Sequence, residues 1–598
     1  MGEIKKVKLR DEIPSDKKWC VEKIYNSVEQ WEKDFVELKK KSPKYKEFSG
    51  KLENAKVLLQ YLNFNEEVSR LAEKLFVFAH LKSDEDTANT TYQTIKDKID
   101  AYLAELKSLN AFFVPEVISL KKGIIEKALN ELKELKMYKF FFEDILKFKP
   151  HSLSKEQEEL LASVSDCLGA ANNIYTMLSN ADMTFPIIKD EEGNNIELTE
   201  ANYAEFIRSK NRKVREDAFK ALFDTYGSFR NTIAAALNAS IKNSIFKSKV
   251  RKYRSALEAS LNPNNIPVGV YYNAIDTINN NIEVLHRYVR VKKKLLNLPE
   301  IHMYDLYVPV IDIPKENIEF ETGVKIIEEG LAPLGEEYLN IFNKGIKEGW
   351  IDIYPNKGKK KGAYSWGCFD TMPYVLLNYN NNLDDVSTLA HEMGHSIHSY
   401  YSKKTQPFIY ADYTLFCAEV ASTTNEALLI YHLINKETDR NKKLYLINQE
   451  LEQIRTTVFR QIMFAEFEKI THEIIEKGNA LTSGDLCNIW RDLNIKYFGP
   501  DMVVDKEIEM EWARIPHFYR DFYVYQYATG YAAASSFANS ILEKGEEAVE
   551  KYKGFLKSGG SDYPIEILKK AGVDMTTSKP LEDTIKRFNK LLDMLEEI

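Results

Sequence analysis

The chain has 598 residues, 44% of them hydrophobic and 29% charged, a balance that suits a globular protein with a sizeable core. Its 82 basic and 90 acidic residues leave a formal net charge of -8 and are mixed along the chain, which argues against a nucleic-acid-binding surface. Five cysteines (Cys20, Cys167, Cys368, Cys417 and Cys487) form no CxxC pair, so a thiol redox site and a cysteine-built zinc site are both excluded, and free thiols in a reducing compartment are expected.

The N-terminal stretch MGEIKKVKLRDEIPSDKKW carries charges with no apolar segment behind them, unlike a secretory signal. No run approaches the roughly 20 apolar residues of a membrane helix. The expectation is a soluble cytoplasmic protein with neither membrane nor nucleic acid as partner. The first third reads as helical: Val68, Leu71, Leu75 and Phe78 fall at helical spacing, as do Ile95, Ile99, Tyr102 and Leu106. The turn-rich stretch Asp190–Asn195 predicts a hairpin and marks the best candidate boundary, between a helical N-terminal domain over 1–194 and a catalytic domain over 195–598. A second long helical pattern begins near Ala201 and is interrupted by the two prolines of Asn262–Pro267. Three short β-rich segments follow, Trp350–Tyr354, Gly362–Gly367 and Pro373–Tyr379, and predict a small sheet in a mainly α protein. The lysine run between the first two, Lys357–Lys361, reads as a solvated loop.

The chemistry concentrates in the segment from Asp385 to His398, which contains HExxH. On a helix His391 and His395 stand one turn apart on one face, so both imidazoles reach one metal ion. Glu392 projects about 100° away, close enough to take a proton from a metal-bound water and pass it to a leaving amine. Gly394 within the helix costs about 1 kcal/mol relative to alanine, which points to close backbone packing at the site. A catalytic zinc usually takes three protein ligands. Glu419, downstream on a second predicted helix, is one candidate for the third, and His398, on the same face as His391, is its competitor; a packing or hydrogen-bonding role suits His398 better, because one straight helix does not easily offer three ligands. Glu426 shares the face of Glu419 and reads either as an acceptor that orients a ligand or as a surface carboxylate. A third cluster, from Ile515 to Tyr531, brings His517 together with Tyr523, Tyr525 and Tyr527; imidazole and phenol groups are suitable oxyanion donors, and Tyr523 and Tyr527 share a helix face at i,i+4.

Three segments in this order, HEMGHSIHSYYS at 391–402, FCAEVASTTNEALL at 416–429 and IPHFY…FYVYQYATG at 515–530, resemble the oligoendopeptidase F family within the thimet oligopeptidase group of zinc peptidases. The resemblance implies His391, His395 and Glu419 as ligands of one Zn2+ per chain, and Glu392 as general base. It further implies His517 and tyrosines of the 523–527 cluster, Tyr527 foremost, as transition-state stabilisers. The implied fold is an elongated, nearly all-helical zincin-like body with a deep channel that admits short unstructured oligopeptides. The small sheet beside the zinc helix would take the substrate backbone as an added strand, with Gly362, Ala363 and Tyr364 as its edge and Tyr525 as a further substrate contact. The expected activity is cleavage of internal peptide bonds. An exopeptidase on the same scaffold and a peptide-binding protein that retains the metal site are the alternatives.

Overall fold

The computed structural model describes residues 7–311 and 316–597; the first six residues of the N-terminal stretch lie outside them. Helices dominate, and local signals explain where they start. Asn54 accepts hydrogen bonds from the backbone N–H of Lys56 and Val57 and opens the helix Ala55–Glu85, and Asn89 does the same for Thr90–Asn110 through Thr91 and Tyr92. The apolar stripes lie where the spacing puts them: Val68, Leu75, Phe78, Ile95, Ile99, Tyr102 and Leu106 are buried, and Leu71 is half-buried at the edge. The predicted hairpin forms, with Ile187–Lys189 antiparallel to Asn195–Glu197. Its turn closes on Asp190, whose carboxylate accepts from the Glu192 and Asn194 amides. Among the described residues, no helix is long and apolar enough to cross a membrane.

The chain divides into two compact units, each built from three stretches: Met1–Ser152, Lys315–His432 and Phe537–Gly572 in one, Leu153–Pro314, Leu433–Ser536 and Val573–Ile598 in the other. This is a different division from a single boundary at 194/195. The hairpin lies inside the second unit rather than between domains, because packing of distant segments defines each unit.

In the first unit the expected small sheet is present, made of β1 (Ile351–Asp352), β2 (Tyr364–Trp366) and β3 (Tyr374–Leu376). The order is β1-β3-β2, with β3 parallel to β1 and antiparallel to β2, so β2 is an edge strand. The loop between β1 and β2 is solvated at Lys357, Lys360 and Lys361, and departs from that reading at one residue. Lys359 is buried and its Nζ lies 2.6 Å from Asp352 Oδ1, while donating to the carbonyls of Asp352 and Tyr354. Lys360 pairs with Asp84. Arg10 completes the cage around Asp352 at 2.5 Å. Burial alone would raise the Asp352 carboxyl; the two cations outweigh it and hold the group below the usual carboxylate range. Lys359 thus fastens the sheet, a role that charge patterning does not reveal.

In the second unit, the helices Arg212–Ser228, Arg230–Val250 and Arg460–Glu476 surround a core that includes Phe219, Leu237 and Phe467. A two-residue parallel pair, Ile301–His302 with Met502–Val503, was too short to leave a pattern in the sequence.

Candidate metal centre

The HExxH segment lies on α1 (Leu383–Thr405) of the first unit. Asn382 caps it: its side chain accepts from the Asp385 N–H, and the Asp385 carboxylate accepts from the Asn382 N–H in return. Past a single helical turn at Phe408–Ala411, α2 (Leu415–Lys436) crosses α1 at Gly394. A Cβ on Gly394 would stand 2.6 Å from the Ser422 Cα and 3.0 Å from the Ala421 carbonyl oxygen, so only glycine lets the two backbones meet. The crossing is further pinned by Asn425, which donates to the Ala390 carbonyl at 3.0 Å and accepts from the Tyr338 hydroxyl at 2.7 Å, all buried.

This contact brings Glu419, one helix away, to the two histidines. His391 Nε2 and His395 Nε2 are 3.2 Å apart, and each is 3.4 Å from Glu419 Oε2. Donor atoms bound at about 2.0–2.1 Å to one tetrahedral ion stand about 3.3–3.4 Å apart, so the three match a zinc-sized cation, and two imidazoles with a carboxylate are a donor set that catalytic zinc accepts. The Nδ1 of His391 faces Glu426 Oε2 at 3.2 Å, which orients the ring so that Nε2 points at the shared centre. Ser422 donates to Glu419 Oε2 at 3.1 Å and steadies the carboxylate.

The electrostatics agree with the geometry. Burial disfavours a charged His391, but hydrogen bonding to Glu419 and Glu426 outweighs burial and raises its pKa to about 10. Hydrogen bonds from His391 and His395 hold Glu419 well below the usual carboxylate range. A field that holds a proton so firmly between carboxylates also favours a divalent cation in its place. Glu392 is buried beside the histidines, and burial raises its pKa above that of an exposed carboxyl. A carboxyl tuned in that direction is better suited to accept a proton and then return it.

His398 is not a ligand. It is 1% exposed, stacked on Tyr413 at 3.7 Å between ring centroids and backed by Phe555. Its Nδ1 has no hydrogen-bond partner among the described residues, and the contacts of its ring are packing on Tyr413 and Phe555. Burial lowers its pKa to about 3 and keeps the ring neutral. Beside α1, the edge strand β2 is tied to the helix by the hydroxyls of Ser365 and Ser396, 2.8 Å apart. Gly362 and Ala363 line a cavity of about 230 Å3 together with Asn378, Asp385 and Thr388. Tyr364 is turned the other way, its hydroxyl donating to Asp84 at 2.7 Å, so only its backbone belongs to the edge.

In the second unit, His517 sits on the 3-10 turn Pro516–Tyr519, and Tyr527 on the first turn of the helix Tyr525–Lys544. Tyr527 Oη and His517 Nε2 are 3.4 Å apart, and the Tyr523 ring lies 5.4 Å from that of Tyr527 and parallel to His517 at 6.4 Å. The three half-buried side chains form one polar cluster. Burial, with Arg520 nearby, lowers the pKa of His517 and favours the neutral ring. Tyr525 departs from its expected substrate contact: it is fully buried against Tyr271, because at i+2 from Tyr523 it faces the core.

The model of peptidase family M3 matches residues 206–587, and that of oligopeptidase F matches residues 116–185. The chain belongs to peptidase family M3. It is 46% identical to oligopeptidase PepF of Bacillus subtilis over 98% of this chain and 88% of that protein, and 39% identical to group B oligopeptidase PepB of Streptococcus agalactiae over 98% of both. The crystal structure of oligoendopeptidase-F from Enterococcus faecium, 38% identical, superposes with a TM-score of 0.73 over 95% of this chain and 99% of that one. This M3 peptidase is therefore a metallopeptidase homologous to oligoendopeptidase F, mainly helical, with a His/His/Glu candidate metal site. Three residues that shape the site went unread in its sequence. Ser422, Asn425 and Tyr338 carry no chemistry of their own, and of these only Ser422, at i+3 from Glu419, had a position that hinted at its role.

Proposed function

We propose that this M3 peptidase is a zinc-dependent endopeptidase that hydrolyses internal bonds of short unstructured oligopeptides, with Glu392 as general base. The observation that carries the reading is the convergence of His391, His395 and Glu419 to mutual distances of 3.2–3.4 Å, with Glu392 buried beside them. One Zn2+ held by these three residues would polarise the scissile carbonyl and lower the pKa of water to about 7. Glu392 accepts the proton from the attacking water and delivers it to the departing amine, work that typically contributes about 10²–10⁴-fold. Glu426 keeps His391 oriented throughout. His517, Tyr527 and Tyr523 donate hydrogen bonds to the oxyanion as it develops. The substrate backbone pairs with the edge at Gly362–Tyr364, which leaves a neighbouring side chain for the cavity lined by Gly362 and Ala363. The names of the relatives, oligopeptidases and oligoendopeptidases, support the substrate class. Five free thiols suit a cytoplasmic location.

The test is cleavage of a doubly blocked, internally quenched peptide by wild type and Glu392→Gln, each with its zinc content measured. Cleavage by wild type, lost in the variant while zinc is retained, is the expected result. A zinc-loaded wild type that cuts only peptides with a free end would make the protein an exopeptidase. Peptide binding without turnover, unchanged in Glu392→Gln, would make it a binding protein.

A further inference from the structure

Between His517 and Tyr527 the chain makes a turn that its sequence should resist. The Tyr523 N–H donates to the Arg520 carbonyl across Asp521 and Phe522, and Phe522 holds φ +53°. That left-handed conformation is ordinary for glycine and an outlier for a bulky side chain, with a typical cost of about 1–2 kcal/mol. Its surroundings show what imposes it. The Phe522 N–H donates to Glu468 Oε1 at 2.9 Å, and the Asp521 carbonyl accepts from the Ser260 hydroxyl at 2.8 Å, so both polar atoms of the peptide group that leads into the strained residue are claimed by fixed partners. The Phe522 ring is 2% exposed, edge-on to Tyr271 and 4.4 Å from the His472 ring.

Glu468 and His472 stand one turn apart on the helix Arg460–Glu476 and are 2% and 3% exposed. A carboxyl buried in this way is expensive, and burial drives its pKa well above the usual carboxylate range. Glu468 Oε2 has no hydrogen-bond partner among the described residues. The one hydrogen bond shown for its side chain is the one to Phe522. The proposed reaction gives this acid no chemical task, and the next residue after the turn is Tyr523, whose ring lies parallel to His517.

We propose that Glu468, through its hydrogen bond to the Phe522 N–H, holds the left-handed turn that aims Tyr523 at His517 and is thereby a positioning residue for the reaction. The inference rests on the reading that the His517 cluster stabilises the oxyanion. A group that acts by placing donors for a transition state changes kcat and leaves substrate binding nearly alone. Because Glu468 Oε1 works as a hydrogen-bond acceptor, an amide oxygen should replace it and an alkyl group should not.

The experiment compares zinc-loaded wild type, Glu468→Gln, Glu468→Leu and His517→Ala, with the double variant Glu468→Leu/His517→Ala, on the same quenched peptide. Glu468→Leu should lower kcat between about 10- and 100-fold with KM within about twofold, since displacing a catalytic group from a distance has effects of that size. Glu468→Gln should stay within about threefold of wild type, and Glu468→Leu should cost much less in the His517→Ala background than alone. Should Glu468→Leu fail a thermal-melt check, Ser260→Ala, which removes only the donor to the Asp521 carbonyl, carries the test through a fall in kcat that likewise shrinks in the His517→Ala background. If His517→Ala is itself silent, the reading of the cluster fails. If His517→Ala is costly but the Glu468 and Ser260 variants are silent, or cost the same in both backgrounds, the positioning role is overturned.

Discussion

The crossing of α1 and α2 and the segment from His517 to Tyr527 both gather polar side chains, but by different means. At the crossing every group hangs from a regular helix: His391 and His395 one turn apart, Glu419 and Glu426 two turns apart, and Gly394 at the point of contact. In the other segment a 3-10 turn supplies His517, the residue after the strained left-handed Phe522 supplies Tyr523, and the first turn of a helix supplies Tyr527. Where regular helices carry a site, periodicity encodes it and a single close approach completes it. Where a loop carries a site, the geometry is set by groups far away in sequence, here the buried Glu468 and the half-buried Ser260.

The largest effect separating the two regions is expected from Tyr527→Phe. It should lower kcat about 10²–10³-fold, the loss typical of one oxyanion donor, with zinc content unchanged; loss of zinc along with activity would erase the distinction between the regions. Glu426→Ala, next in size, should act through the metal alone. It removes the partner of His391 Nδ1 and is expected to weaken zinc binding about 10–100-fold, read by competition with a chelator. Equal zinc affinity with lower kcat would show that Glu426 belongs to the reaction instead.

Gly394→Ala sharpens the claim that one close approach assembles the metal site. The new methyl meets backbone of Ser422 and Ala421, which cannot swing away, so about 1–3 kcal/mol of stability should be lost together with zinc affinity. Destabilisation with intact zinc binding would mean that Glu419 reaches the site without the tight crossing. The last effect is on pH-dependent stability rather than on the site and concerns His398, which shares α1 with His391 and His395 and packs on Tyr413. Its folded pKa of about 3 lies below the unfolded value of about 6.5. The unfolded chain therefore takes up a proton that the folded chain refuses. The stability involved is fully present above pH 6.5 and falls by about 1.4 kcal/mol per pH unit below it, until pH 3. In His398→Phe this acid limb should flatten, as urea midpoints at pH 7 and pH 5 would reveal. Parallel losses in both proteins would contradict a neutral buried ring.

Much of this protein was legible without its structure because helices and metal motifs are local. The stripe at Ile95, Ile99, Tyr102 and Leu106 is a consequence of 3.6-residue periodicity, and so is the pairing of His391 with His395. Turn chemistry likewise announced the hairpin at Asp190 and the break at Pro263 and Pro267. The same local view missed on Tyr525, because a row of tyrosines does not say which of them face the core. It missed at Lys359 within an otherwise exposed lysine run, because Lys359 finds its partner in Asp352, on a strand whose charge no pattern connects to it. Nor does local pattern show that each compact unit unites segments hundreds of residues apart.

By itself, then, the amino-acid order determined the helices, the short strands, the two-histidine face and the pairing of Glu419 with Glu426 on one helix face, all of which follow from dihedral preferences and fixed periodicities acting over a few residues. Only the tertiary structure decided that Glu419 rather than His398 stands beside His391 and His395, that Tyr523 and Tyr527 but not Tyr525 accompany His517, and that Phe522 is held in a left-handed turn. Those outcomes depend on which surfaces bury against one another, and burial is a property of the packed chain, in which a glycine at one crossing and a buried acid on a distant helix outweigh what each residue would prefer alone.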